Sequence, residues 1–226
     1  MSTAVSGTLT YGSISSNANY SPWLGDATFN ENYLRVRPNT LVDIYRCYGL
    51  WSLVEQTTRL TGDILEVGVW RGGTGCLMAK RVQLLKSPAK VFLCDTFRGV
   101  VKVSERDPHY KEGAWATPKD YVEKLIGDLD LSNTTILEGI FPDDTGHLIE
   151  THQFSLCHID VDIYRSGLDI LEWVWPRMPI GGVLVFDDYG FAGHDGITNL
   201  VNERAHLAGS LTLYNLNGHG LVIKTG

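Results

Sequence analysis

From residue 63 onward the chain alternates between two rhythms. Short apolar runs rich in β-forming residues cover 63–69, 90–95, 134–138, 154–160 and 181–187, and read as buried strands. Between them lie stretches whose apolar residues recur every three to four positions, over 74–85, 117–126, 166–175 and 197–207; these read as helices. A weak helix is expected over 145–150. Two closing strands, 211–216 and 221–224, flank Asn217-Gly218-His219-Gly220, which carries the turn chemistry of a hairpin. Strands alternating with helices predict an α/β fold: a doubly wound, mostly parallel seven-stranded sheet with helices on both faces, its C-terminal antiparallel hairpin adding an edge strand.

Ahead of this pattern a helix is expected over 40–59, with Leu41, Ile44, Tyr45, Tyr48, Trp51 and Leu53 offering an apolar face for core or subunit contacts. The first thirty or so residues are rich in Ser, Asn, Gly and Tyr and show no clear period. Residues 1–39 therefore read as an N-terminal arm or lid on a single domain, 40–226, since 226 residues suffice for one substantial core and not comfortably for two. The balance of 19 Lys+Arg against 26 Asp+Glu disfavours nucleic acid as a partner, because phosphate-backbone binding depends on clustered cations. Four cysteines without a C-x-x-C pair, two of them inside strand-like runs, fit a reducing cytoplasm. No secretory pattern and no membrane-length apolar stretch is present, so a soluble cytoplasmic protein is expected.

Near the C-terminus two strand runs stop at aspartate, one at Asp160 and the other at Asp187-Asp188. Neighbouring strands lie about 4.8 Å apart, so three carboxylates would meet and repel one another unless a cation compensated them. Oxygen-only ligands suit Mg²⁺ or a similar hard ion. The alternative is that Asp187 and Asp188 merely open the turn before Tyr189-Gly190. After the first strand, Glu66-Val67-Gly68-Val69-Trp70-Arg71-Gly72-Gly73 forms a glycine-rich turn into a helix, where Gly68 and Gly72 permit close approach of an anionic cofactor or simply make a tight connection. The spacing matches neither the dinucleotide fingerprint nor a phosphate loop. The second strand ends at Asp95, an acidic position suited to ribose hydroxyls. At the third, Gly139 precedes Pro142-Asp143-Asp144-Thr145, which could border the same rim or start a helix.

These segments, with Asp95-Thr96-Phe97-Arg98-Gly99, Gly139-Ile140-Phe141-Pro142-Asp143, Ile159-Asp160-Val161-Asp162-Ile163-Tyr164-Arg165-Ser166 and Gly181-Gly182 through Gly190, resemble in order the motifs of the macrocin O-methyltransferase family from about residue 62 to 203. The resemblance implies a Rossmann-like class I methyltransferase that uses S-adenosylmethionine and Mg²⁺, with a hydroxyl of a small molecule, such as an antibiotic sugar, as acceptor. By position, Glu66, Gly68 and Gly72 would line the methionine and ribose of the cofactor. Asp95 would take the ribose hydroxyls beside Thr96 and Phe97, Gly139 and Phe141 would border adenine, and Asp160, Asp187 and Asp188 would hold the metal. Catechol methyltransferases carry a lysine three residues beyond the first metal-binding aspartate; here that position is Ile163. The base expected in its place is Asp160, which also borders the cofactor, with Asp162 second.

His158 reads as a core histidine, and His194 as either a substrate contact or a helix cap with Asp195. The aromatic arm (Tyr11, Tyr20, Trp23, Phe29, Tyr33) and the insertion at 100–117, with Asp107, Tyr110 and Trp115, are candidate walls of the acceptor site or contacts in a homo-oligomer. Two other readings remain open: a catechol-like or peptide methyltransferase on the same scaffold, and a non-catalytic cofactor-binding partner subunit.

Overall fold

The computed structural model describes residues 9–13, 15, 17–205, 207–215 and 217–226. Among them, helices α1 (Pro22–Gly25), α2 (Ala27–Val36) and α3 (Ile44–Thr57) precede the alternation. Strand β1 (Asp63–Val67) leads to α4 (Gly73–Leu84), β2 (Val91–Asp95) to α5 (Asp120–Asp128), and β3 (Thr134–Glu138) to a 3₁₀ turn (Gly146–Ile149). There follow β4 (Phe154–Ile159), α6 (Tyr164–Val174), β5 (Val183–Phe186), α7 (Asp195–Arg204), β6 (Ser210–Tyr214) and β7 (Gly220–Lys224). The seven strands form one sheet in the order β3-β2-β1-β4-β5-β7-β6, parallel through β5. Strand β7 pairs antiparallel with both β5 and β6. The C-terminal hairpin is thus antiparallel as expected, with β7 beside β5 and β6 at the rim. Leu216, in the expected reach of β6, and the first eight residues lie outside the described residues.

The N-terminal segment is the larger departure from expectation. Asp26 accepts the Phe29 N–H at 2.8 Å and starts α2, which buries Phe29, Tyr33 and Val36. Those three lie at i, i+4 and i+7, a helical stripe that surrounding Asn and Glu residues obscure in the sequence. Phe29 meets Trp51 of α3 edge-on at 5.8 Å, so residues 27–36 belong to the core rather than to a loose arm. Two apolar layers result. One packs α2, α3, α4 and α5 on one face of the sheet, and the other packs α6 and α7 on the opposite face. No helix among the described residues is long and apolar enough to cross a membrane.

Register does the positioning. Cys94 pairs with Val67, Val67 with Ile159, and Ile159 with Phe186. The residues just beyond these, Asp95, Gly68, Asp160 and Asp187, thus emerge on one level at the carboxyl edge. The ladder extends to this row, since Asp160 N–H donates to Val67 O and Asp187 N–H to Ile159 O, each at 2.9 Å. The order of connection reverses between β1 and β4, the place where open α/β sheets bind ligands.

Candidate active site

A cleft of about 380 Å³ opens over this row, within the range of small-ligand sites. Its first half is built from the ends of β1, β2 and β3. Gly68 is required there: a Cβ would stand 1.6 Å from the Asp160 carbonyl oxygen, and the residue has φ +89°. Asp95 receives the Trp70 N–H at 2.8 Å and the Phe97 N–H at 2.7 Å. Both donors belong to non-glycine residues with positive φ, 47° and 53°, so one carboxylate holds two left-handed turns. Burial pushes the Asp95 carboxyl above its ordinary range, against those backbone hydrogen bonds. Thr96, Gly139, Ile140 and Phe141 continue the wall.

Three expected cofactor residues do not line the cleft. Glu66 is fully buried behind it, where its Oε1 meets His158 Nδ1 at 2.8 Å; α4 begins so close that a Cβ on Gly75 would fall 2.2 Å from Glu66 Oε2. Gly72 is the left-handed N-cap of α4, packed toward Val122. Phe97 turns its ring into the core and offers Asp95 only its amide.

The second half is acidic. Asp160, Asp162, Asp187 and Asp188 all line the cleft, and ligand atoms of Asp160, Asp187 and Asp188 lie within 4.8 Å of one another. Strand alternation does not place Asp162, because β4 ends at Ile159 and Asp162 has φ +65°. It neither caps the next helix, whose N-cap is Ile163, nor binds Arg165, which pairs with Asp169 at 2.8 Å. Instead Tyr110 Oη donates to Asp162 Oδ1 at 2.7 Å and meets His194 Nδ1 at 2.8 Å. His194 occupies the N-cap position of α7 without capping, and its Nδ1 lies 3.2 Å from Asp188 Oδ2.

Two residues escaped the sequence reading. Arg46 of α3 reaches Asp187 Oδ2 at 2.7 Å and Asp188 Oδ1 at 3.5 Å, and its Nε is held by Asp43 at 2.9 Å. His219 follows from the β5–β7 register, where Phe186 faces Gly220; its Nε2 lies 2.9 Å from Asp187 Oδ1, without hydrogen-bond alignment. The hairpin signal located the turn, but only the pairing of β7 with β5 brings it to Asp187. No pattern in the sequence marks Arg46 beyond its spacing of three from Asp43.

These neighbours split the carboxylates electrostatically. Burial alone would raise Asp187, yet the imidazoles of His158 and His219 and the Arg46 guanidinium hold it below the usual carboxylate range. At 3.9 Å from Asp187 Oδ1, His158 lies beyond hydrogen-bond reach and acts through its charge. Burial would lower His158, but Asp187 and Glu66 raise it to about 10, while burial keeps His219 lowered. Asp160 is pushed well above the ordinary value by burial and by the charge of Asp187. Asp162 is raised to about 7 by burial and the charge of Asp188, against the Tyr110 hydrogen bond.

The cleft thus joins a half walled by Asp95, Thr96, Gly139, Ile140 and Phe141 to an acidic half across the β1–β4 contact, at the switch point of this sheet. The chain belongs to the family described as Macrocin-O-methyltransferase (TylF), whose model matches residues 36–207, and so to the S-adenosylmethionine-dependent O-methyltransferases. It is 29% identical over 189 residues to an 8-demethyl-8-(2,3-dimethoxy-alpha-L-rhamnosyl)-tetracenomycin-C 4'-O-methyltransferase of Streptomyces olivaceus, covering 73% of this chain and 72% of that one. It is 28% identical over 172 residues to the mycinamicin III 3''-O-methyltransferase of Micromonospora griseorubida, covering 67% of this chain and 65% of that one. Among solved structures, the O-methyltransferase NovP superposes with a TM-score of 0.72 at 24% identity over 83% of each chain. Calicheamicin methyltransferase CalS11 shares the fold at TM-score 0.69 and 16% identity, over 96% of this chain and 100% of that one.

Proposed function

We propose that this chain methylates a hydroxyl of a sugar carried by a specialised metabolite, with S-adenosylmethionine in the first half of the cleft and Mg²⁺ on Asp160, Asp187 and Asp188. The observation that carries this reading is the single row formed by Asp95, Gly68, Asp160 and Asp187, which sets the cofactor wall directly beside the carboxylates. The relatives named for 4'- and 3''-O-methylation support a sugar hydroxyl as acceptor.

The residues fit a hard cation. Three converging carboxylates supply oxygen donors only, and Asp160, half-buried at the cleft, has no cationic hydrogen-bond partner among the described residues. When bound, Mg²⁺ would supply a template and Lewis acid for vicinal oxygens, and S-adenosylmethionine an electrophilic methyl. The chain's own tasks are orientation and proton removal. Asp95 and the Gly68 turn hold the nucleoside end. Thr40, Leu41 and Val42, with Tyr110 and Trp115 from the insertion, line the cleft. Asp162 takes precedence over Asp160 as base, because it lines the cleft outside the metal-binding trio and Tyr110 fixes its orientation.

Asp187→Ala should abolish transfer in the presence of Mg²⁺ while leaving S-adenosylhomocysteine affinity nearly intact, and Asp95→Ala should chiefly weaken that affinity. Titration calorimetry alongside turnover of a sugar-acceptor panel decides it. Equal cofactor losses in both variants, or undiminished turnover in excess EDTA, would contradict the assignment.

A further inference from the structure

Arg46 is the anomaly of the acidic half. Its side chain is 8% exposed, and its Nη1 bridges Asp187 and Asp188, two of the three carboxylates assigned above to the metal. We propose that Arg46 is an internal counter-ion that occupies the carboxylate cluster when no divalent ion is bound and withdraws when one arrives, so that guanidinium and metal compete for Asp187 and Asp188. The inference rests on the reading of Asp160, Asp187 and Asp188 as the metal ligands.

Three features support competition rather than coexistence. First, Arg46 Nη1 lies 2.7 Å from Asp187 Oδ2 and 3.5 Å from Asp188 Oδ1, in the space between two carboxylates that a metal bound at about 2.1 Å would share. Second, a guanidinium in contact with two ligand carboxylates would repel a second cation placed on them, and the buried setting screens that repulsion weakly. Third, Arg46 holds partners besides the carboxylate cluster. Asp43 grips Arg46 Nε at 2.9 Å as a pivot, and the Phe191 ring centroid lies 4.9 Å from the guanidinium carbon, so the charged end can leave Asp187 without losing all of its partners.

The same side chain pairs with three aspartates, Asp43, Asp187 and Asp188. Arg46 compensates part of that charge and ties α3, which follows wall residues 40–42, to the end of β5.

The test is Mg²⁺ titration calorimetry on the metal-free full chain, as wild type, Arg46→Met and Arg46→Lys, with thermal melts in EDTA and in Mg²⁺. Arg46→Met should bind Mg²⁺ at least about tenfold tighter than wild type. It should also melt lower in EDTA and recover in Mg²⁺ by more than wild type gains. Arg46→Lys keeps the charge and should stay within about threefold of wild-type affinity. Equal or weaker Mg²⁺ affinity in Arg46→Met overturns the proposal. If Arg46→Met does not fold, a wild-type crystal with Mn²⁺ decides: Nη1 clear of Asp187 and Asp188 supports competition, and Nη1 still on both beside a bound ion overturns it. Failure of all three proteins to bind Mg²⁺ or Mn²⁺ would remove the metal assignment itself.

Discussion

Gly68→Ala is the sharpest test of the way the sheet builds this site. The added methyl would stand 1.6 Å from the Asp160 carbonyl oxygen and 2.5 Å from its carbon, both backbone atoms that cannot rotate away. Restoring the 3.4 Å of ordinary contact requires the ends of β1 and β4 to part by about 1.8 Å. Alanine at this left-handed φ costs about 1–2 kcal/mol, and forcing an extra methyl into a packed region about 1–3 more, so a loss of roughly 2–5 kcal/mol is expected. The separation moves Asp160 relative to Asp95, and a displacement of about 1 Å can cost about a hundredfold in rate. Urea unfolding and turnover should therefore fall together. Gly127→Ala in α5 is the control, because nothing lies within 4 Å of its added methyl; a neutral effect or a gain of up to about 1 kcal/mol is expected. A Gly68→Ala protein with the control's urea midpoint and undiminished turnover would refute the claim that this contact sets the spacing of the two halves.

Asp95 is held above the ordinary carboxylate range, so lowering the pH neutralises it early, and S-adenosylhomocysteine affinity should fall as pH drops through that raised value. Asp95→Asn should bind more weakly and lose the pH dependence, as read by calorimetry across a pH series. Tyr110→Phe removes the hydroxyl shared by Asp162 and His194 and should lower kcat about tenfold or more while leaving S-adenosylhomocysteine binding unchanged. All four cysteines are buried, and burial raises every one of their thiols, so a thiol reagent should label none in the native protein and four after denaturation.

The sequence conveyed the parallel core and the acidic row because both depend on local pattern: each strand is an apolar run, and its last residue marks the carboxyl edge. Thr134–Glu138 matches the expected strand residue for residue, and the helix and strand limits elsewhere shift by one to four positions, as capping adjusts them. What escaped depends on partners distant in the chain. Arg46 and Asp187 are separated by 141 positions, and nothing near Arg46 indicates which strand end its helix will cross. Asp162 reaches the cleft through a left-handed backbone that strand alternation cannot anticipate. Glu66, expected at the cofactor, is turned away because His158 of the adjoining strand offers it a buried nitrogen. Helix α2 was hidden by its polar residues, which dilute a stripe of only three large apolar side chains.

The insertion between β2 and α5 is fastened in a way that bears on redesign. Val100 and the 113–114 pair exchange backbone hydrogen bonds at 2.8 and 2.9 Å, closing the loop at its base. At its midpoint the buried Asp107 accepts the Tyr164 N–H at 2.8 Å and the Ser104 hydroxyl at 2.7 Å, and a Cβ on Gly196 would fall 1.9 Å from its Oδ1. Tyr110 inside the clasp and Trp115 just outside it both line the cleft, as do Val100 and Val101. Grafting a foreign segment here would thus need to keep the clasp, the aspartate and Tyr110, whose hydroxyl holds Asp162, leaving Trp115 open to exchange for new acceptors.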